Sequence, residues 1–231
     1  TTASVIKYDK MIFYLEAEYM EQLIEERGKY KIAYYLVDIT EEMKEKALTF
    51  AKDIILTDNQ YSRLLPSQVR ESNDVTLQNK IEIQRTYMGK LGELAFLQYL
   101  IENGKVVNTE GMFDIYQGQE NVDYFDFITG TGHTVDVKTG FRQIHKRLLV
   151  NTEQFNMIPK DYYVAVKIDA SDVDANQKLV DWEHISTATI WGYAEHSYMQ
   201  RCAGIADFGE GPARWLYYNK LMGIDRLLGE F

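Results

Sequence analysis

Residues 126–138 read Asp126-Phe127-Ile128-Thr129-Gly130-Thr131-Gly132-His133-Thr134-Val135-Asp136-Val137-Lys138. The stretch has the pattern of a β-hairpin. Residues 124–128 are aromatic and apolar, as a strand requires. Thr129-Gly130-Thr131-Gly132 is turn chemistry, because glycine tolerates the positive φ of tight turns. From His133 the chain alternates, with Val135 and Val137 on one face and Asp136 and Lys138 on the other. A three-residue loop over 130–132 sets Asp126 directly across from Asp136. Two carboxylates facing each other on a sheet repel, at a cost of some tenths of a kcal/mol. The pair is tolerated when positive charge sits between them. Lys138 can supply it, and so can a divalent cation, whose hard charge prefers carboxylate oxygens. Two acids and a lysine on one strand face form a candidate site for metal-assisted hydrolysis.

Upstream, residues 75–102 predict a long helix that stops at Asn103-Gly104. Met88, Leu91, Leu94, Ala95, Tyr99 and Leu100 supply its core face. Gly89 and Gly92 each cost about 1 kcal/mol of helix stability relative to alanine. A close approach by a neighbouring sheet explains their presence, and Glu93 lies beside this small-residue patch. An isolated glutamate on an amphipathic helix is more often simply solvated, and the glycines and the downstream hairpin raise the site reading to parity.

These residues resemble the PD-(D/E)XK nuclease superfamily, which includes many restriction endonucleases. The resemblance rests on Asp126, a turn, then Asp136-Val137-Lys138 after apolar residues. It rests also on the helix Gly89-Lys90-Leu91-Gly92-Glu93-Leu94-Ala95-Phe96, which is similar to the superfamily's first core helix. It covers about residues 80–170, in the order helix with Glu, first strand, strand with Asp, strand with Asp-x-Lys, helix, strand. It departs from the superfamily pattern in having Phe125 rather than proline before the first aspartate, and Asp rather than Glu at 136. Asp123, three residues upstream, is a rival first aspartate, and Asp126 suits a tight hairpin better. The resemblance implies Mg²⁺, with Mn²⁺ as a substitute, held by Asp126, Asp136, the Val137 carbonyl and Glu93. It implies catalysis by Asp126, Asp136, Lys138 and Glu93, double-stranded DNA as substrate, and a homodimer that cuts both strands. It implies a restriction-type endonuclease. The alternatives are a nuclease-fold binding or regulatory module without cleavage, and a repair, structure-specific or RNA-directed nuclease.

The chain has 231 residues and a formal net charge of −10. That charge argues against non-specific coating of nucleic acid, which rests on lysine and arginine. It leaves room for a local basic strip, and Arg142, His145, Lys146 and Arg147 are the candidates. Its single cysteine, Cys202, excludes an internal disulfide and fits a reducing compartment. No apolar run reaches the length of a membrane span and no signal-peptide pattern is present, so the expectation is a cytoplasmic protein away from membranes. No zinc-spaced Cys/His cluster, glycine-rich phosphate loop or Gly-x-Ser-x-Gly elbow supports other chemistry.

The remaining pattern predicts an α/β fold, a mixed sheet flanked by helices with a helical N-terminal extension. Residues 1–74 read as a helical layer and 75–231 as the core with a C-terminal extension. Met11, Ile12, Leu15, Tyr19, Leu23 and Ile24 recur at helical spacing, with Gly28 as the stop. Residues 30–37 suit a strand or a buried connector. Thr40 reads as an N-cap, followed by Glu41 and Glu42, and by an apolar stripe of Met43, Ala47, Phe50, Ala51, Ile54 and Ile55. Residues 61–74 are a polar loop, with Arg63 and Arg70 available to DNA. Residues 105–108 and 112–116 are expected to supply the first core strand. Extended structure at 144–150, 162–168, 187–193 and 214–218 and helices at 152–157, 194–202 and 222–228 complete the reading. The near-continuous apolar run at 162–168 suits a buried central strand.

Overall fold

Thr40 opens the first helix, α1 (Glu41–Leu56), by accepting the Met43 N–H on its hydroxyl at 3.2 Å. Asp74 opens the second, α2 (Val75–Glu102), by accepting the Leu77 N–H at 3.0 Å. Each cap satisfies a backbone donor that the first helical turn leaves free. Gly104, at φ +72°, ends α2 and returns its N–H to the Ile101 carbonyl. The computed structural model of the protein describes residues 10–14, 21–27, 30–56, 74–115 and 126–231.

α2 is buried around most of its circumference. Between Ile81 and Leu100 nearly every position is covered, including all six residues of its expected core face. A helix covered all round belongs in the centre of a protein. α1 and a mixed sheet pack against it. Gly92 marks the closest approach to the sheet. A Cβ there would lie 2.0 Å from Thr139 Oγ1 and 3.0 Å from Thr139 Cβ. The close approach expected for the two glycines is therefore real at Gly92. At Gly89 an added Cβ meets nothing within 4 Å, and no contact accounts for that glycine.

The sheet has seven strands: β1 (Lys10–Tyr14), β2 (Glu21–Arg27), β3 (Tyr30–Asp38), β4 (Phe127–Ile128), β5 (Thr134–Gly140), β7 (Tyr162–Ile168) and β10 (Thr187–Glu195). Their order is β1-β2-β3-β10-β7-β5-β4. β5 and β7 run parallel, and the other neighbours run antiparallel. β7 lies between β10 and β5, the central place that its apolar run suggests. Its Val164, Val166 and Ile168 join the core under α2. Tyr163 and Ala165 face the other way into a second, smaller core. That second core is closed by α3 (Thr152–Met157), α4 (His196–Cys202) and a three-stranded sheet. The small sheet pairs β6 (Arg147–Asn151), β12 (Pro212–Tyr217) and β11 (Gly204–Asp207). Between them in sequence, β8 (Asp172–Asp174) and β9 (Leu179–Val180) form a short ribbon. Gln84 of α2 ties this ribbon down through Val180 N and Lys178 O, both at 2.9 Å. A last short helix, α5 (Ile224–Leu228), returns Ile224 and Leu227 to the main core.

Two expectations need correction. The first is the helical N-terminal layer. Residues 10–14 and 21–27 are strands, and with β3 they extend the main sheet by three antiparallel members. The outer edge of β3 carries unpaired backbone groups, and β2 pairs with it from Glu21↔Leu36 to Arg27↔Tyr30. This long-range pairing outweighs a helical spacing carried by few residues. Gly28, read as a helix stop, lies outside the described residues. The second correction concerns the first core strand. Residues 105–108 and 112–115 form no strand. Turn bonds from Met112 N to Thr109 O and from Asp114 N to Gly111 O coil this segment instead, with Gly111 at φ +81°. The loop with Arg63 and Arg70, Asp123, and the start of the strand at 124–125 lie outside the described residues. No helix among the described residues is long and apolar enough to cross a membrane.

The two glycines of α2 should respond oppositely to substitution. Gly92→Ala should destabilise the fold by about 1–3 kcal/mol, because an extra methyl against Thr139 forces the helix and sheet apart. Gly89→Ala should stabilise it by up to about 1 kcal/mol through helix propensity alone. Urea denaturation of both variants checks the pair.

Candidate active site at the sheet edge

The hairpin has the register expected from its turn. Phe127 pairs with Val135 and Ile128 with Thr134. Thr129 N donates to His133 O at 2.9 Å and Gly132, at φ +88°, donates to Thr129 O at 2.9 Å. Continued by one residue, this register sets Asp126 opposite Asp136. Asp126 instead leaves the ladder. Its N–H donates to Val135 O at 3.0 Å, and its carboxylate accepts the next free donor on β5, Val137 N–H, at 2.6 Å. A strand residue's N–H and C=O point to the same side. The Val137 carbonyl therefore shares the β5 edge that Asp126 occupies.

Asp136 and Lys138 lie on the face of β5 opposite Val135 and Val137, which belong to the core under α2. Asp136 is 6% exposed. Lys138 Nζ lies 2.8 Å from Asp136 Oδ2 and donates to Gln154 Oε1 of α3 at 3.2 Å. Despite that proximity, no hydrogen bond among the described residues is aligned on Asp136 Oδ2. A buried carboxylate oxygen without a directed donor is costly and calls for a further positive partner.

Glu93 reaches the same edge from the other face, carried by α2. Its carboxylate is held at 2.5 Å by Lys90 Nζ, one turn earlier. Lys90 is itself buried, donates to Met112 O at 2.8 Å, and lies over the Phe50 ring at 4.6 Å. Glu93 is thus engaged, whereas Asp136 keeps an undirected oxygen.

Electrostatics unite the set. Burial pushes the Asp126 carboxyl well above the usual carboxylate range, and the charges of Glu93 and Asp136 push it further. Lys138 and the Val137 N–H oppose this without cancelling it. Glu93 and Asp136 are both close enough to repel Asp126. The oxygens of Asp126, Asp136 and Val137 are hard donors of the kind Mg²⁺ takes. They fit such an ion by chemistry and by the repulsion on Asp126. No group of three or more His, Cys, Asp or Glu side chains among the described residues converges on one ligating point. A two-carboxylate and carbonyl set, with Glu93 left to Lys90, is what the arrangement offers.

The expected basic strip is divided. Arg142 is buried, paired with Asp172 at 3.2 Å and bonded to Ala175 O at 3.4 Å. His145 Nδ1 accepts the N–H groups of Phe141 and Arg142 at 3.1 and 3.2 Å. Burial, with Arg142, Lys167 and Lys178 adding to it, pulls His145 down to about 4, so it is neutral at physiological pH. Lys146 is exposed. The Arg147 guanidinium stacks over Trp215 and Tyr217, both at 4.8 Å. Two of the four residues build the loop and two remain at the surface.

Sequence reasoning passed over Lys90, Gln154 and Lys160. Lys90 could have been found from its three-residue spacing to Glu93. Lys160 offered only its place before β7, and its burial comes from tertiary packing. Compared with known protein families, curated proteins and solved structures, the chain matches none.

His145 sets a pH dependence. A histidine held down in the fold binds its proton more readily in the unfolded chain, so stability is full above about 6.5 and drains as pH falls toward about 4. The parent should lose denaturation free energy over this window, and His145→Gln should lose less. Urea midpoints at pH 7 and pH 5 measure the difference.

Proposed function

We propose that the protein is a Mg²⁺-dependent endonuclease of the PD-(D/E)XK type acting on double-stranded DNA. The observation that carries the proposal is the edge cluster: Asp126 on the Val137 N–H at 2.6 Å, with Lys138 ion-paired at 2.8 Å to a buried Asp136 oxygen on which no hydrogen bond is aligned among the described residues. Asp126, Asp136 and the Val137 carbonyl would hold the ion. When bound, it supplies Lewis-acid polarisation of the phosphate and a more acidic water.

The chain's own groups account for the rest. Lys138 is ion-paired with Asp136 at 2.8 Å. A fixed ammonium suits stabilising charge on a phosphate oxygen better than removing a proton. Gln154 positions Lys138 by accepting from its ammonium. Lys90 holds the Glu93 carboxylate at the rim of the cluster. Cutting both strands calls for two such sites, and a homodimer about a two-fold axis supplies them. The compartment consistent with one free cysteine is the cytoplasm.

A second reading has its own support. The Lys138–Asp136 pair is closed and no three acids among the described residues converge, as in a nuclease-fold module that binds without cutting. Plasmid cleavage separates the two readings. With Mg²⁺ the parent should cut, and EDTA or Lys138→Ala should abolish cutting while leaving the thermal midpoint within a few degrees. Intact plasmid under every condition would favour the binding module.

Asp126→Asn should raise the thermal midpoint in EDTA, because it removes a carboxylate that the fold holds at a cost. The same variant should lose cleavage and the upward midpoint shift that Ca²⁺ gives the parent. Thermal melts with and without Ca²⁺, beside a cleavage assay, check both halves.

A further inference from the structure

The loop between α3 and β7 carries a second lysine into the same site. Lys160 is 5% exposed, among the most covered charged residues described. Its backbone N–H donates to Tyr163 Oη at 3.1 Å. Among the described residues its ammonium has no hydrogen-bond or ion-pair partner. The neighbouring Asp161 clamps the loop to the start of β5. Asp161 Oδ2 accepts both Thr134 N–H and Thr134 Oγ1–H at 2.8 Å, and Asp161 N–H donates to Thr134 Oγ1 at 3.0 Å. Tyr163, which holds Lys160, pairs with Asp136 across the β5–β7 ladder. The lysine is therefore fixed by backbone anchors on both sides, next to the strand that carries Asp136 and Lys138.

The charges around it define the site it faces. Asp136 and Asp126 act on its ammonium from the acid side and Lys138 from the basic side, while burial disfavours its charged form. A buried ammonium without a partner costs stability, and folds retain one when it serves a ligand. A lysine also makes three donors available to an anion as a compact point charge. Lys138 is already committed to Asp136 and Gln154. Lys160 has all its donors left.

We propose that Lys160 is a second phosphate contact of the site, binding a non-bridging oxygen of the DNA strand that Lys138 also meets. The proposal rests on the nuclease reading and adds to it a residue outside the Asp-x-Lys motif. The two lysines then have distinct work. Lys138 balances Asp136, and Lys160 offsets the negative charge of the incoming phosphate in a site that already holds three acids.

Lys160→Met tests this, because methionine keeps most of the stem and removes the charge. Three readouts are taken on the parent, Lys160→Met, Lys160→Arg and Lys138→Ala. They are the thermal midpoint, single-turnover cleavage with Mg²⁺, and the salt dependence of duplex binding in Ca²⁺. Lys160→Met should melt no lower than the parent, since it relieves an unpaired buried charge. It should cleave about 10²-fold more slowly. Its binding should lose about one unit from the slope of log K against log salt, the signature of one lost phosphate contact. Lys160→Arg should restore most of the slope.

A parent that cuts with Mg²⁺ and Lys138, beside a Lys160→Met that cuts equally with an unchanged slope, overturns the Lys160 role and leaves the nuclease reading standing. A lower midpoint for Lys160→Met with an unchanged slope makes the lysine structural and also overturns it. A parent that binds duplex without cutting sinks the cleavage reading, and the slope then still judges Lys160. A parent that neither binds nor cuts overturns both.

Discussion

The Asp126 carboxylate accepts the Val137 N–H at the point where the β4–β5 ladder ends, and the site depends on that bond. A sheet edge leaves backbone donors unpaired, and here an acid side chain accepts one of them. That bond keeps Asp126 beside β5, within reach of acids on both faces of the sheet. Asp136 stands on one face and Glu93 arrives from the other on α2. Placing α2 this near requires Gly92, since a larger residue would strike Thr139 of β5. One glycine and one side-chain hydrogen bond thus bring three acids from separate elements to a single edge.

The charge balance follows from that geometry. Lysines answer each acid in part: Lys90 holds Glu93, and Lys138 lies against Asp136. Asp126 receives a backbone N–H and the field of Lys138, and burial, with the charges of Glu93 and Asp136, still drives its pKa up. A fold that assembles such a set holds mutually repelling carboxylates in a poorly solvated place. A hard cation at this edge would relieve that repulsion, and this is how the proposed hydrolytic chemistry would depend on the packing of α2 and β5.

Much of this was legible in the chain. The turn glycines of residues 129–132 set the hairpin register, and the Asn103-Gly104 stop set the end of α2, because both are local devices. α3 and β7 have the bounds read from the sequence for the same reason. What was not legible depends on distant partners. β1 and β2 are strands because β3 offers an edge, and no short window of sequence contains that edge. Arg142 and His145 look like surface charge until Asp172 and the Phe141 and Arg142 N–H groups are placed around them. Lys160 looks like a connector residue until Asp161 and Tyr163 fix its loop against β5. The superfamily resemblance rests on a short motif, and one of its expected strands is a turn.

On the proposed function, the edge cluster binds one hard divalent cation, and Asp126 must ionise for it to do so. Calorimetric titration of Mn²⁺ into the protein near pH 6, repeated in buffers of different ionisation enthalpy, measures both at once. The account requires one saturable site per chain, lost in Asp126→Asn, with net proton release on binding. Absence of saturable binding, or binding that is equally strong in Asp126→Asn and releases no proton, would contradict it.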